Sequence, residues 1–143
     1  MDRAALDAAR ALGLSCGGWC PKGRKAEDGP LDPRYPLRET PSEDYAQRTE
    51  WNVRDSDGTL ILAAGRLSGG TASTAQRAAA LRKPCLIVDL EHAVAPATIR
   101  AWLKTHRIRT LNVAGPRESR RPGIYAEASR VLRSVFSLAG RRP

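Results

Sequence analysis

Apolar residues follow a helical period in five segments of the chain. In residues 2–12 the apolar side chains recur three or four positions apart, with Asp7 and Arg10 on the opposite face, which predicts an amphipathic helix ended by Gly13. The same period predicts further helices from Thr40-Pro41-Ser42 to about Arg54, over residues 72–82 and 96–106, and over Ile124–Leu138. Continuous apolar runs predict buried strands over Thr59–Ala64, Cys85–Leu90 and Thr110–Ala114.

The order of these elements predicts the fold class. Strands that are apolar along their length and alternate with helices are typical of a parallel sheet covered on both faces. We therefore predict one domain over residues 1–143, an α/β Rossmann-like three-layer sandwich with a mostly parallel sheet. A short extended stretch is predicted at Ser15–Trp19. It is followed by a long loop over residues 20–36, and a loop of this length inside a domain usually carries function.

Composition excludes several classes of protein. Hydrophobic residues make up 41% of the 143 residues and are spread along the chain, which argues against disorder. No apolar run approaches the ~20 residues of a membrane span, so no membrane association is expected. The three cysteines cannot form a complete disulfide framework, and Asp2, Arg3 and Asp7 stand where a secretory signal would be basic and apolar. We therefore expect a cytoplasmic protein.

Positive charge is concentrated in the second half of the chain. Residues 1–72 hold 10 basic and 11 acidic side chains, whereas residues 73–143 hold 14 basic and 4 acidic ones. An anionic partner is therefore expected to contact the second half. Nucleic acid is disfavoured, because the chain has few aromatic residues, does not interleave them with basic residues and contains no known recognition motif. A small anionic ligand needs only a few of the arginines.

Two loops that follow predicted strands have the composition of anion-binding turns. Ligands of open parallel sheets bind beyond the carboxyl ends of the strands, where helix N-termini present free N–H groups. The candidate residues of the first loop are Ser68, Gly69, Gly70 and Thr71. The candidate residues of the second loop are Gly115, Pro116, Arg117, Glu118 and Ser119. Glycines allow the backbone to approach a ligand closely, and an arginine can bind a phosphate through two hydrogen bonds.

A third candidate segment follows the first extended stretch. Trp19 could stack on a flat heterocycle, and Lys22 and Arg24 could meet its negative charge, although a tryptophan beside glycines is more often a packing residue. A zinc site is not predicted: Cys16 and Cys20 have no second pair at zinc spacing, and the two histidines fall on different predicted elements.

Catalytic motifs are scarce. Glu50, Asp55 and Asp57 lie around the end of the second predicted helix, where acidic residues are usually solvated or structural. The chain has no nucleophile elbow and no dinucleotide-binding glycine motif. No catalytic residue is assigned. The alternative is a nucleotide-processing hydrolase that uses Glu50 or Asp55 as its acid.

Over nearly its whole length the sequence resembles the molybdenum carrier family, the circularly permuted YpsA branch of the SLOG superfamily. The motifs that carry the resemblance are DRAALDAA (2–9), GGWCPKGR (17–24), AEDG (26–29), YPLRETPS (35–42), RTEWNVRDSDGTLIL (48–62), SGGT (68–71), KPCLIVDL (83–90) and LNVAGPRESRRPGIY (111–125). The resemblance implies a Rossmann-like fold that binds a nucleotide-derived or pterin ligand. The first candidate is the molybdenum cofactor, a phosphorylated pterin.

The sequence departs from this family at its start. Members carry a strand and a glycine-rich turn of the type GGQTG directly before the DRAALD helix, and here Met1 stands at that point. We therefore expect the N-terminal strand to be lacking, either because the start was assigned too far downstream or because the protein is truncated. An exposed sheet edge would then favour a homo-oligomer.

A second departure concerns related enzymes, the lysine-decarboxylase-like phosphoribohydrolases. Their loop resembles this one but has the pattern PGGxGTxxE, and its essential glutamate falls on Gln76 here. A glutamine cannot act as a base or as a carboxylate that stabilises positive charge. The sequence therefore favours a binding and carrier protein over a phosphoribohydrolase.

Overall fold

Five helices and two parallel sheets form the fold in the computed structural model, which describes residues 1–139. The helices are α1 Asp2–Ala11, α2 Tyr45–Arg54, α3 Gly69–Ala80, α4 Pro96–Thr105 and α5 Ile124–Ala139. The strands are β1 Trp19–Cys20, β2 Arg38–Glu39, β3 Gly58–Ala63, β4 Cys85–Asp89 and β5 Leu111–Ala114. Each predicted helix and buried strand is present, and apart from the start of α2 the ends differ from the predicted ones by at most three residues.

The main sheet has the strand order β4-β3-β5, and both pairings are parallel. Thr59 pairs with Cys85 on one side and with Asn112 on the other, which sets the register of all three strands. Every residue of the central strand β3 is buried. A strand with no polar face needs helices on both sides of the sheet, as the sequence predicted.

Successive residues of β3 point into two different helical layers. Leu60 and Leu62 are fully buried in a cluster with side chains of α1, α4 and α5. Ile61 is also fully buried but points to the other face, where α3 packs on β3 and α2 packs on α3. The three-layer α/β architecture is therefore confirmed.

The start of α3 differs from the prediction. Helix was expected from residue 72, after a turn over Gly65–Gly70, but α3 begins at Gly69 with Ser68 in extended conformation as its N-cap. Gly69 has φ +54°, a left-handed conformation that glycine adopts without a side-chain clash. Two glycines therefore lie in the first turn of the helix instead of in the loop before it.

The start of α2 also differs, because local side-chain bonds hold the preceding turn. Thr40 Oγ1 donates to the carbonyl of Ser42, and Ser42 accepts through its hydroxyl from the N–H of Asp44. Gln47 accepts the Ser42 N–H at 2.9 Å. These bonds keep residues 40–44 out of the helix, so that α2 begins at Tyr45.

The long loop over residues 20–36 is organised around Arg24. Its guanidinium donates to four backbone carbonyls at 2.8–3.2 Å, those of Leu31, Asp32, Tyr35 and Leu37. β1 and β2 form a two-residue parallel pair at the ends of this loop, and the sequence indicated no strand at Arg38–Glu39. Within residues 1–139 no helix is long and apolar enough to cross a membrane.

Candidate anion-binding site

The two predicted glycine-containing loops lie at one edge of the sheet. β3 and β5 are neighbouring parallel strands, so their carboxyl ends meet at the same edge. Ser68–Thr71 follow β3, and Gly115–Ser119 follow β5. A Cβ added to Gly115 would overlap the carbonyl oxygen of Leu62 in β3, which shows how closely the second loop passes the end of β3. The structure therefore places both loops at the carboxyl edge of the sheet.

The N-terminus of α2 lies at the same edge of the sheet. Near the last residue of α2, the carbonyls of Arg54 and Ser56 accept hydrogen bonds from Lys83, which lies in the segment after α3. One to two turns earlier, Arg77 in the last turn of α3 lies 3.3 Å from Glu50 in the middle of α2. These contacts join corresponding positions of α2 and α3, so the two helices run in the same direction. Their N-termini both lie at the carboxyl edge of the sheet.

The first turn of α3 presents backbone to the solvent. Ser68, Gly69 and Gly70 are exposed, and a Cβ built at either glycine would meet no atom within 4 Å. The first N–H groups of a helix have no acceptor within the helix and carry its positive dipole end. Thr71 is only 8% exposed, so its hydroxyl offers little surface. The turn therefore provides open N–H groups that an anion could reach.

Arg117 in the second loop contacts an aromatic ring that other cations also approach. Its guanidinium carbon is 4.5 Å from the ring centroid of Tyr45. Lys25 Nζ lies 4.9 Å and the Arg48 guanidinium carbon 5.2 Å from the same centroid. Three positive side chains from three separate segments therefore converge on Tyr45, and we call Lys25, Tyr45, Arg48 and Arg117 the Tyr45 cluster. Like charges this close favour the binding of an anion among them.

Three members of the Tyr45 cluster, Lys25, Tyr45 and Arg48, were not among the site residues predicted from the sequence. Lys25 directly follows the candidate segment that contained Lys22 and Arg24, and Arg48 lies three residues after Tyr45 on one helix face. Only the helical spacing of Tyr45 and Arg48 was a usable signal. Their proximity to Arg117 depends on the fold, because 69 positions of the chain separate Arg48 from Arg117.

One carboxylate already binds the second loop. Glu27 accepts a hydrogen bond from Ser119 Oγ at 2.6 Å and a longer one from the Ser119 N–H at 3.4 Å. Its other close neighbour is Arg117, whose Nη1 lies 3.9 Å away. Glu27 therefore contacts two of the side chains of this loop that were predicted to bind the ligand, Arg117 and Ser119.

Of the other predicted residues of this loop, Glu118 has structural contacts and Pro116 is half-buried. Glu118 accepts hydrogen bonds from the N–H groups of Gly123 at 2.6 Å and Tyr125 at 3.0 Å. These bonds lower the pKa of Glu118 and hold the start of α5. Pro116 is half-buried, whereas Arg117 and Ser119 are exposed. Glu118 therefore stabilises the loop and its connection to α5.

The residues of the third candidate segment lie near opposite ends of helix α2. Lys22 is exposed, and its N–H donates to the carbonyl of Ser42, just before α2. Trp19 lies at the far end of α2, where its Nε1 donates to Asp55 at 2.8 Å. Trp19 also makes an edge contact with the Trp51 ring at 4.7 Å. The structure therefore places Lys22, but not Trp19, near the N-terminus of α2.

Arg24 differs from the prediction in its contacts. Its guanidinium was expected to meet ligand charge, but its four hydrogen bonds go to carbonyls of its own loop. A guanidinium has five N–H donors, so little of its donor capacity is left for a ligand. Arg24 holds the loop that presents Lys25 and Glu27.

Asp55, one of the two acids named for the hydrolase alternative, lies away from this edge, as does its neighbour Asp57. Asp55 and Asp57 precede β3 and so lie at its amino end. The guanidinium of Arg54 and the indole N–H of Trp19 lower the pKa of Asp55 to about 2. Asp57 accepts the N–H groups of Arg109 and Thr110 at 2.9 Å, which lowers its pKa. These carboxylates stay ionised and bonded, unlike a catalytic acid.

Other potential chemistry is limited in the part of the chain that the structure describes. No disulfide joins the cysteines of residues 1–139, and no group of three or more His, Cys, Asp and Glu side chains in that range could hold a metal ion. Gln76, at the position of the hydrolase glutamate, is exposed on α3. The arrangement of open helix N–H groups and clustered cations is that of a site for a small anionic ligand.

A parallel Rossmann-like sheet with strand-to-helix loops at its carboxyl edge defines a class of nucleotide- and phosphate-binding folds. Comparison with known proteins identifies the family. The model of the circularly permuted YpsA SLOG family matches residues 1–136, and the chain belongs to this family.

A solved structure agrees with this assignment. The chain is similar to a crystal structure from Syntrophus aciditrophicus SB named "Putative molybdenum carrier protein", with 47% sequence identity and a TM-score of 0.90. The match covers 94% of this chain and 87% of that one. No curated protein matches the chain. Both the predicted family and the predicted fold are therefore confirmed.

Proposed function

We propose that this protein binds and carries a phosphorylated heterocycle at the carboxyl edge of its sheet, with the molybdenum cofactor as the first candidate and a nucleotide-derived molecule as the other. The observation that carries the proposal is the Tyr45 cluster, in which Lys25, Arg48 and Arg117 approach one ring within 5.2 Å. The similarity to a protein named as a molybdenum carrier supports the choice of ligand.

Each part of the site contributes a different chemical group to ligand binding. The N–H groups of Gly69 and Gly70 donate hydrogen bonds to a phosphate at the positive end of the α3 dipole. Arg117 is exposed on its loop and can bind phosphate oxygens through two hydrogen bonds. Lys22 and Lys25 add charge from the neighbouring loop. The residues present therefore fit the phosphate of a pterin or nucleotide.

The variant Arg117→Ala tests the role of the second loop. We expect it to weaken the binding of a phosphorylated pterin about tenfold, the effect of losing a hydrogen bond between charged groups worth ~1.4 kcal/mol. The matched control is Arg120→Ala, which removes the same charge from the same loop at an exposed residue. Isothermal titration gives the affinities, and thermal unfolding checks that both variants fold. Equal affinities of the two variants would remove Arg117 from the site.

A separate assay distinguishes a carrier from a hydrolase. Nucleoside monophosphates are incubated with the protein, and the products are separated by chromatography. A carrier returns them intact. Release of the free base at a rate that depends on Glu50 or Asp55 would instead establish the hydrolase.

A further inference from the structure

Strand β4 is an edge of the main sheet within residues 1–139. It pairs with β3 on one side only, in the order β4-β3-β5. Thr59 donates to the carbonyl of Pro84 and Leu90 donates to the carbonyl of Ala63, so the even-numbered positions of this segment bond to β3. Because backbone groups alternate in direction along a strand, Cys85 and Ile87 direct their N–H and C=O groups away from the sheet.

The edge has few of the features that prevent association. Natural edge strands are commonly protected by lysine or proline within the strand or by a bulge. The sequence of β4 is CLIVD, with no proline and with its only charge at the last residue. Ile87, at its centre, is 51% exposed, the largest value among the exposed large hydrophobic residues. Both the backbone and the side chain at the middle of β4 are therefore open to another strand.

The charges that flank β4 favour a second copy of the same strand. Arg82 and Lys83 precede the strand, whereas Asp89 and Glu91 lie at its end. In an antiparallel pair with the two-fold axis at Ile87, the basic end of one copy lies beside the acidic end of the other, with Lys83, whose ammonium also donates to the carbonyls of Arg54 and Ser56 of its own chain, opposite Glu91. A parallel pair would place like charges together. The antiparallel arrangement also makes the contact self-complementary, as a closed dimer requires.

The direction of the backbone groups agrees with the same register. With the axis at Ile87, the two Ile87 residues form a hydrogen-bonded pair, and Cys85 of one copy faces Asp89 of the other. These are the odd-numbered positions, whose N–H and C=O groups point outward. Placing the axis half a residue away, between two positions, would set each outward-pointing residue opposite one whose N–H and C=O groups already bond to β3.

We propose that two copies of this chain associate through antiparallel pairing of their β4 strands, with the two-fold axis at Ile87, to form one continuous sheet. The pairing buries the two Ile87 side chains against each other on one face of the sheet. The pairing uses the outer edge of β4, of which the loop residues Ser68–Thr71 and Gly115–Ser119 are not part. The proposal is independent of the ligand.

Light scattering during size-exclusion chromatography over a dilution series tests the association. The expected mass is twice the 15.5 kDa of the chain. Ile87→Lys places two ammonium groups against each other at the axis, and we expect it to raise the dissociation constant of the dimer at least ~30-fold, as for a central interface residue. The matched control is Leu14→Lys, at a residue that is 37% exposed in the turn after α1. A wild-type mass of one chain throughout the series would overturn the proposal, as would a dimer that Ile87→Lys leaves intact.

A disulfide tests the register directly. In a Cys16→Ser/Cys85→Ser background, Ile87→Cys brings two thiols together at the axis. Opposed residues of a hydrogen-bonded antiparallel pair have Cα atoms ~5.5 Å apart, a separation that suits a disulfide. We expect mild oxidation to give a covalent dimer with Ile87→Cys and not with Leu14→Cys in the same background. Equal cross-linking of the two variants would contradict the proposed axis.

Discussion

The carboxylate of Glu27 lies where a ligand phosphate would need to bind the second loop. It contacts Ser119 Oγ at 2.6 Å and lies 3.9 Å from Arg117 Nη1. A phosphate that binds Arg117 must either displace this carboxylate or bind beside it against the repulsion between the two negative charges. We therefore predict that Glu27→Gln, which keeps the shape of the side chain but removes its charge, increases the affinity for phosphate.

The size of the expected gain in affinity follows from how exposed the Arg117–Glu27 ion pair is. The Arg117 and Glu27 side chains are 49% and 32% exposed, so their ion pair is partly screened and worth up to ~1 kcal/mol. The hydrogen bond from Ser119 survives in the glutamine variant in weaker form. Loss of about 1 kcal/mol of competing interaction corresponds to roughly fivefold tighter binding.

Isothermal titration with inorganic phosphate and with a phosphorylated pterin measures this effect. The control is Glu43→Gln, which removes a negative charge from an exposed residue just before α2. We expect Glu27→Gln to bind both probes about fivefold more tightly and Glu43→Gln to change the affinity by less than about twofold. Unchanged binding by Glu27→Gln would refute the competition. Weaker binding would refute it too, and would make Glu27 a group that contacts the ligand.

Three further predictions concern residues with contrasting roles. Gly70→Ala, at a site where a Cβ meets no atom within 4 Å, should leave stability unchanged or raise it by up to ~1 kcal/mol while weakening phosphate binding, as measured by thermal unfolding and titration. Arg24→Met should lower the free energy of unfolding by ~2–3 kcal/mol in urea because four carbonyls lose their donor, whereas Lys22→Met should change it by less than ~0.5 kcal/mol. The pKa of Asp55 is depressed from 3.8 to about 2 in the folded protein, so its stabilising effect is complete above pH 3.8 and is lost as the pH falls through about 2. The difference in unfolding free energy between wild type and Asp55→Asn should therefore disappear over that range, and a constant difference would contradict the role of its bonds to Arg54 and Trp19.

The main sheet could be predicted from the sequence because its signals are local. The apolar runs of β3, β4 and β5 and the helical period of α4 each lie within one segment, and the observed ends differ from the predicted ones by one residue. The start of α3 was predicted too late because Gly69 and Gly70 are poor helix formers. Both glycines lie at the N-terminus of the helix, where this low propensity matters less. Gly69 adopts φ +54° there, a conformation that glycine takes without a side-chain clash.

The candidate site could be predicted only in part. The loop position of Arg117 follows from the end of a strand, which the apolar pattern reveals. Tyr45 and Lys25 could not be associated with it, because their contacts depend on how α2 and the loop over residues 20–36 pack. Arg24 and Lys22 belong to one basic segment and look equivalent in sequence, yet only Arg24 is saturated by backbone carbonyls.

The most direct test of the proposed function compares one pterin with and without its phosphate. We expect the phosphorylated pterin to bind at least tenfold more tightly than the unphosphorylated one, because phosphate contacts supply most of the affinity. We expect Arg117→Ala to remove most of this difference. Titration of both compounds into wild type, Arg117→Ala and Arg120→Ala gives the required affinities. Equal binding of the two pterins by the wild-type protein would contradict the account.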